Sequence, residues 1–165
     1  MSVRFFSAAL LSLFSLTAFA QTENALPQVN VQDLRGSMVN TASWANDGKP
    51  IIISFWATWC KPCIKELANI HEVYGDWQEE TGVKLIAVSI DDSRTSGMVR
   101  SMTLGRGWEY DIYLDVNSDL KRAMNVVNVP HTFLLDGEGR IVYQHTSYAD
   151  GDEEELFRQI LDLGQ

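Results

Sequence analysis

The chain has 165 residues, of which 45% are hydrophobic and 10% aromatic, the composition of a globular protein with a full core rather than of a disordered one. Its 22 acidic side chains outnumber 13 basic ones, and a formal charge of −9 excludes a surface suited to nucleic acid or anionic membranes. No internal repeat or low-complexity segment is present, and beyond the first twenty residues no run is apolar enough to cross a membrane.

Residues 1–20 read as a cleavable secretory signal. Arg4 leads an apolar stretch, FFSAALLSLFSLTAFA, that ends in Ala18-Phe19-Ala20 before the polar Gln21. The stretch is broken by Ser7, Ser12, Ser15 and Thr17 and falls short of the roughly 20 apolar residues of a membrane span. Cleavage after Ala20 leaves one domain, residues 21–165, with a charge of −10 once Arg4 is removed. No cysteine follows that site, so no lipid anchor is expected there.

Residues 21–27 form a polar lead-in, and VNVQDLRGSMVN alternates around Arg35-Gly36-Ser37 as a β-hairpin would. A short helical turn and loop are expected over 41–50. IIISFWA, residues 51–57, is a continuous β-branched run and predicts a strand buried on both faces. Residues 61–80 carry Ile64, Leu67, Ile70, Val73, Tyr74 and Trp77 at helical spacing, with Gly82 as the stop. A second buried strand spans 83–91, a weaker helix and Gly-containing loop 93–108, and a short strand 110–115. Residues 118–126 predict a short helix with Ser118 as its N-cap. HTFLLD and RIVYQHT flank Gly137-Glu138-Gly139 as a hairpin, and 150–164 closes the chain as a helix whose acidic first turn complements its dipole. This order implies an α/β fold: a mixed sheet with helices on both faces, parallel strands first and an antiparallel hairpin at the edge.

Cys60 and Cys63 are the only cysteines. As a structural staple they close so short a loop that the chain-entropy gain is about 2 kcal/mol, against roughly 3 for a fifteen-residue loop. As half of a metal site they lack partners, because His71, His131 and His145 show no ligand spacing. The redox reading fits best. Cys60 falls at the start of the helix, where free N–H groups and the dipole favour an anion, and Lys61 adds a positive charge. Pro62 is tolerated in the first turn. A fall in thiol pKa from about 8.5 to about 7 raises the thiolate fraction at neutral pH from roughly 3% to about half. Cys60 is then the exposed nucleophile, and Cys63, facing inward three residues later, is the resolving thiol.

FWATWCKPC and the later NVPHTFLLD resemble the thioredoxin fold, and most closely the secreted TlpA/ResA-like branch of thiol–disulfide oxidoreductases, over roughly residues 26–163. The resemblance implies an N-terminal hairpin extension and a central insertion at 92–117 that shapes partner choice. It implies that Val129–Pro130 is the cis-proline loop whose backbone pairs with substrate. It implies that Glu66 is an acid beside the dithiol that exchanges a proton with Cys63. Trp56 and Trp59 match flanking aromatics, the first as core packing and the second as a substrate-facing platform. Ser54 stands where general thioredoxins carry a buried aspartate, which shifts proton handling onto Glu66. Ala68 replaces a helix-kinking proline. His131 reads as a packed or solvent-facing histidine rather than a site residue, and Met98, Met102 and Met124 as core filler.

The resemblance further implies no bound cofactor, a monomer in the periplasm, disulfide-containing extracytoplasmic proteins as partners, and a membrane thiol donor for re-reduction. Reduction of client disulfides is the expected direction. An oxidase or isomerase, or a thiol peroxidase, would use the same atoms. A non-catalytic metal-binding or interaction module is the alternative of another class.

Overall fold

A computed structural model describes residues 24–164; the expected signal at 1–20 lies outside the described residues. Seven strands form one mixed sheet: β1 (Asn30–Asp33), β2 (Met38–Asn40), β3 (Ile51–Trp56), β4 (Lys84–Ser89), β5 (Asp111–Leu114), β6 (His131–Leu135) and β7 (Ile141–Thr146). Four helices accompany them: α1 (Lys61–Thr81), α2 (Ser96–Arg106), α3 (Asp119–Ala123) and α4 (Asp152–Asp162), with a 3-10 turn at Thr41–Ser43. The spatial order is β2-β1-β5-β4-β3-β6-β7. Strands β3, β4 and β5 run parallel, and β6 and β7 follow antiparallel on one side. The leading hairpin completes the other side through an antiparallel pairing of β1 with β5. The expected α/β sheet and hairpins are present, and β5, within the segment read as an insertion, joins the leading hairpin to the sheet.

Strand β3 is buried along its whole length, as its unbroken apolar run requires. Ile52 and Trp56 face α1 and α4, against Leu67, Ile70, Tyr74, Trp77, Leu156 and Ile160. Ile51, Ile53 and Phe55 face the opposite layer, where Leu120 of α3, Met124 and Trp44 cover them. Each such side chain contributes about 1.5–3 kcal/mol on burial. Trp77 and Phe157 stack at 5.0 Å and fasten α1 to α4. The buried Tyr110 hydroxyl donates to the Leu67 carbonyl at 3.2 Å and fastens α1 to the end of the loop before β5.

Helix α1 runs unbroken for 21 residues, as Ala68 in place of proline permits. It stops at Gly82, whose φ of 69° suits a residue without a Cβ and whose N–H reaches the Gln78 carbonyl. Two expectations need correction. Met98 is 55% exposed on the outer face of α2 rather than core filler, while Met124 is buried and Met102 packs partly against the core. Ser118 precedes α3, but its side chain makes no capping bond. The buried Asp115 does that work: Oδ1 accepts the N–H groups of Asp119 and Leu120 at 2.8 and 3.2 Å, and Oδ2 that of Lys121 at 2.7 Å. A carboxylate reaching from the end of β5 outcompetes a hydroxyl because it accepts three orphan donors at once. Asp115→Ala is therefore expected to lower the unfolding free energy by about 1–3 kcal/mol in urea titrations, whereas Ser118→Ala should stay within about 0.5 kcal/mol of the parent.

Candidate active site

The strand-to-helix junction places both sulfurs. Cys60 takes the N-cap position of α1 in extended conformation, and Pro62 occupies the first turn. Cys60 and Cys63 are joined as a disulfide with Cα atoms 5.3 Å apart. The Cys63 N–H points at the Cys60 sulfur at 3.3 Å, so the sulfur serves as the acceptor that a capping oxygen would otherwise be. Cys63 is fully buried. Cys60 is only 5% exposed, less open in this oxidised form than the sequence suggested, because Val129 overhangs it, with the carbonyl oxygen 3.7 Å from the Cys60 sulfur. The Val129–Pro130 peptide bond is cis.

The segment leading into Cys60 is pinned from below. Asp91, buried just past the carboxyl end of β4, accepts the Thr58 N–H at 2.8 Å, the Thr58 hydroxyl at 2.6 Å and the Ser89 hydroxyl at 2.7 Å. With Thr58 held, Trp59 projects outward and is 63% exposed. Trp56 turns the other way into the core, edge-on to Trp108 at 5.4 Å.

Glu66 lies one helical turn beyond Cys63 and is 1% exposed. A buried carboxylate needs donors, and the sheet supplies them from adjacent strands. Ser54 of β3 is in register with Thr132 of β6, which is in register with His145 of β7. Thr132 Oγ1 lies 2.7 Å from Glu66 Oε1 and 3.1 Å from Ser54 Oγ, and His145 Nε2 lies 3.0 Å from the same Oε1. With one proton to give, Thr132 donates to the carboxylate, and Ser54 extends the chain. Glu66 Oε2 is buried without a hydrogen-bond partner among the described residues. The carboxylate thus has one saturated oxygen and one free one.

His131, on the opposite face of β6, is buried and stacked on Phe133 at 4.3 Å, with Nε2 3.0 Å from Gln144 Oε1. It is a packed histidine, as the sequence suggested. Among the described residues no cluster of three or more His, Cys, Asp or Glu is placed to hold a metal ion.

The geometry brings Cys60, Cys63, Val129 and Pro130 together, sets Glu66 one turn from Cys63, and leaves Trp59 at the rim. Sequence reading missed Asp91, Thr132 and His145. The position of Asp91 carried a usable signal, since the carboxyl ends of parallel strands are where α/β proteins collect site residues. Thr132 required the β3–β6 register and His145 the β6–β7 register.

Burial pushes the His131 imidazole below the ordinary histidine range, and its bond to Gln144 only partly offsets this. The folded protein therefore takes up that proton less readily than the unfolded chain, so stability is lost as pH falls below about 6.5. His131→Gln should flatten this decline between about pH 6.5 and 5, read as urea midpoints across that range.

The AhpC/TSA family profile matches residues 22–144. A relative called thiol-disulfide oxidoreductase ResA, from Bacillus thuringiensis subsp. konkukian, is 29% identical over 118 residues, covering 72% of this chain and 65% of the relative. The chain thus spans just under two thirds of that relative's length. Among solved structures, an uncharacterized thioredoxin-like protein from Porphyromonas gingivalis shares 52% identity at a TM-score of 0.75, over 84% of this chain and 90% of the other. A putative thiol:disulfide interchange protein DsbE from Chlorobium tepidum aligns at a TM-score of 0.74 and 24% identity, over 85% and 95% of the two chains, which bears on the fold. The profile spans most of the chain and the 52%-identical structure is thioredoxin-like, so the chain belongs to the AhpC/TSA family, within its thioredoxin-like members.

Proposed function

We propose that this protein is an extracytoplasmic thiol–disulfide oxidoreductase that reduces disulfides in exported proteins through Cys60 and Cys63. The observation that carries the reading is the dithiol pair at the N-cap of α1, one sulfur buried and the other beneath the Val129 carbonyl. The names of the relatives support it.

In the reduced protein, the Cys60 thiolate attacks a sulfur of the client disulfide. A bond forms between Cys60 and that sulfur, and the other client sulfur leaves as a thiolate that takes a proton from water. Cys63 then gives its proton to Glu66 and attacks the Cys60 sulfur. The Cys60–Cys63 disulfide forms, and the second client thiolate departs. Two electrons have passed from the protein dithiol to the client. The free N–H groups at the start of α1 favour the Cys60 anion that attacks in the first step. Glu66 serves because it sits one turn away and keeps Oε2 unoccupied. The client strand lies against Trp59 and pairs with the backbone of Val129 ahead of Pro130. A membrane thiol protein of lower reduction potential returns the two electrons. The chain is exported as a monomer after cleavage behind Ala20, leaving residues 21–165 as the working domain.

In an insulin-reduction assay driven by dithiothreitol, the parent should turn over, whereas Cys60→Ser and Cys63→Ser should fall to background. Cys63→Ser should also accumulate mixed disulfides through Cys60 with periplasmic proteins. Full activity in Cys60→Ser would overturn the proposal. Peroxide turnover lost in the same variant would favour a peroxidase, and stoichiometric zinc in purified protein a metal-binding module. Mass spectrometry of the exported protein should place its N-terminus at Gln21.

A further inference from the structure

Strand β7 forms the edge of the sheet and alternates half-buried and exposed residues. An edge position of this kind ordinarily carries an apolar side chain inward. At 145 the inward residue is a histidine, and it is aimed at the acid of the site: Nε2 stands 3.0 Å from Glu66 Oε1, and the side chain is 15% exposed. Its Nδ1 is buried without a partner among the described residues. Among the described residues the ring thus makes a single polar contact, with Glu66.

We propose that His145 is a positioning residue for the dithiol reaction: it anchors Oε1 of Glu66 so that Oε2 stays free for the Cys63 proton. The inference rests on the assignment of Glu66 as the proton acceptor made above. His145 donates its Nε2–H to Oε1, a bond that the carboxylate acceptor makes charge-assisted.

The groups that face His145 are few. Glu66 comes from α1 and Thr132 from β6. His131 lies on the other face of β6 and is electrostatically coupled to it, and the Tyr143 ring lies 5.9 Å away on the same strand. Tyr143 in turn feels Glu155, Asp152 and Arg158 of α4. Only Glu66 makes a direct polar contact with the imidazole among the described residues.

The test is the rate at which a preformed mixed disulfide between Cys60 and a thiol peptide is resolved by Cys63, followed by stopped flow at neutral pH in the mature protein. Glu66→Gln should slow resolution about a hundredfold. His145→Ala should slow it about tenfold, the loss of one charge-assisted hydrogen bond. His145→Gln retains a donor, so it should restore most of the rate, which a merely space-filling role would not require. The Glu66→Gln/His145→Ala pair should be no slower than Glu66→Gln alone. If His145→Ala does not fold, His145→Phe, which fills the space without offering a donor, takes its place. Resolution at the parent's rate in the donor-less variant overturns the proposal and leaves the Glu66 assignment intact. Unchanged resolution in Glu66→Gln overturns both.

Discussion

A carboxylate cannot sit dry inside a protein without donors, and the architecture around the dithiol follows from meeting that requirement at Glu66. Helix α1 delivers the group at a position fixed by the cysteines, one turn beyond Cys63. The sheet beneath must then present polar atoms at one spot in an otherwise apolar layer. It does so with one residue from each of three neighbouring strands, Ser54, Thr132 and His145, aligned by register. Elsewhere the same layer is built of Ile52, Leu85, Ala87 and Leu134. The polar row is narrow because each added polar residue there would need its own partner.

A second buried carboxylate solves a different problem. Asp91 gathers three donors from Thr58 and Ser89 and so fixes the chain that enters Cys60. Strand β3 alone could not do this, since it ends at Trp56, four residues before the sulfur. The site therefore has two supports, one under the approach to Cys60 and one beside Cys63. Between them the overhang of Val129 leaves Cys60 a narrow opening. Trp59 offers a broad apolar surface at its rim.

Most of the architecture was legible because it rests on short-range patterns. IIISFWA could hardly be anything but a central strand, and the Cys-Lys-Pro-Cys step marked a helix start. Ser118 misled because local propensity favoured it as a cap, and a stronger acceptor three residues earlier won. Met98 misled because methionine is read as core by default, yet only Val99 and Thr103 of α2 are buried. His145 was invisible for a different reason. Its meaning depends on which residue of β6 lies beside it and what lies above, and strand register is a tertiary fact. A bulge between Leu134 and Leu135 adds an offset that no local pattern discloses.

The position of β5 bears on how the molecule is assembled. Among the described residues the leading hairpin pairs with the rest of the sheet through β5, with Gln32 opposite Leu114. As the polypeptide is made, that hairpin emerges first yet has no neighbour until the strand at 111–114 has followed. Its ladder is long-range in sequence although short in space, and pairings of that kind form slowly. Until then the edge of β5 that will receive β1 stands open to any other strand. A segment synthesised early is thus held to the sheet by one made much later.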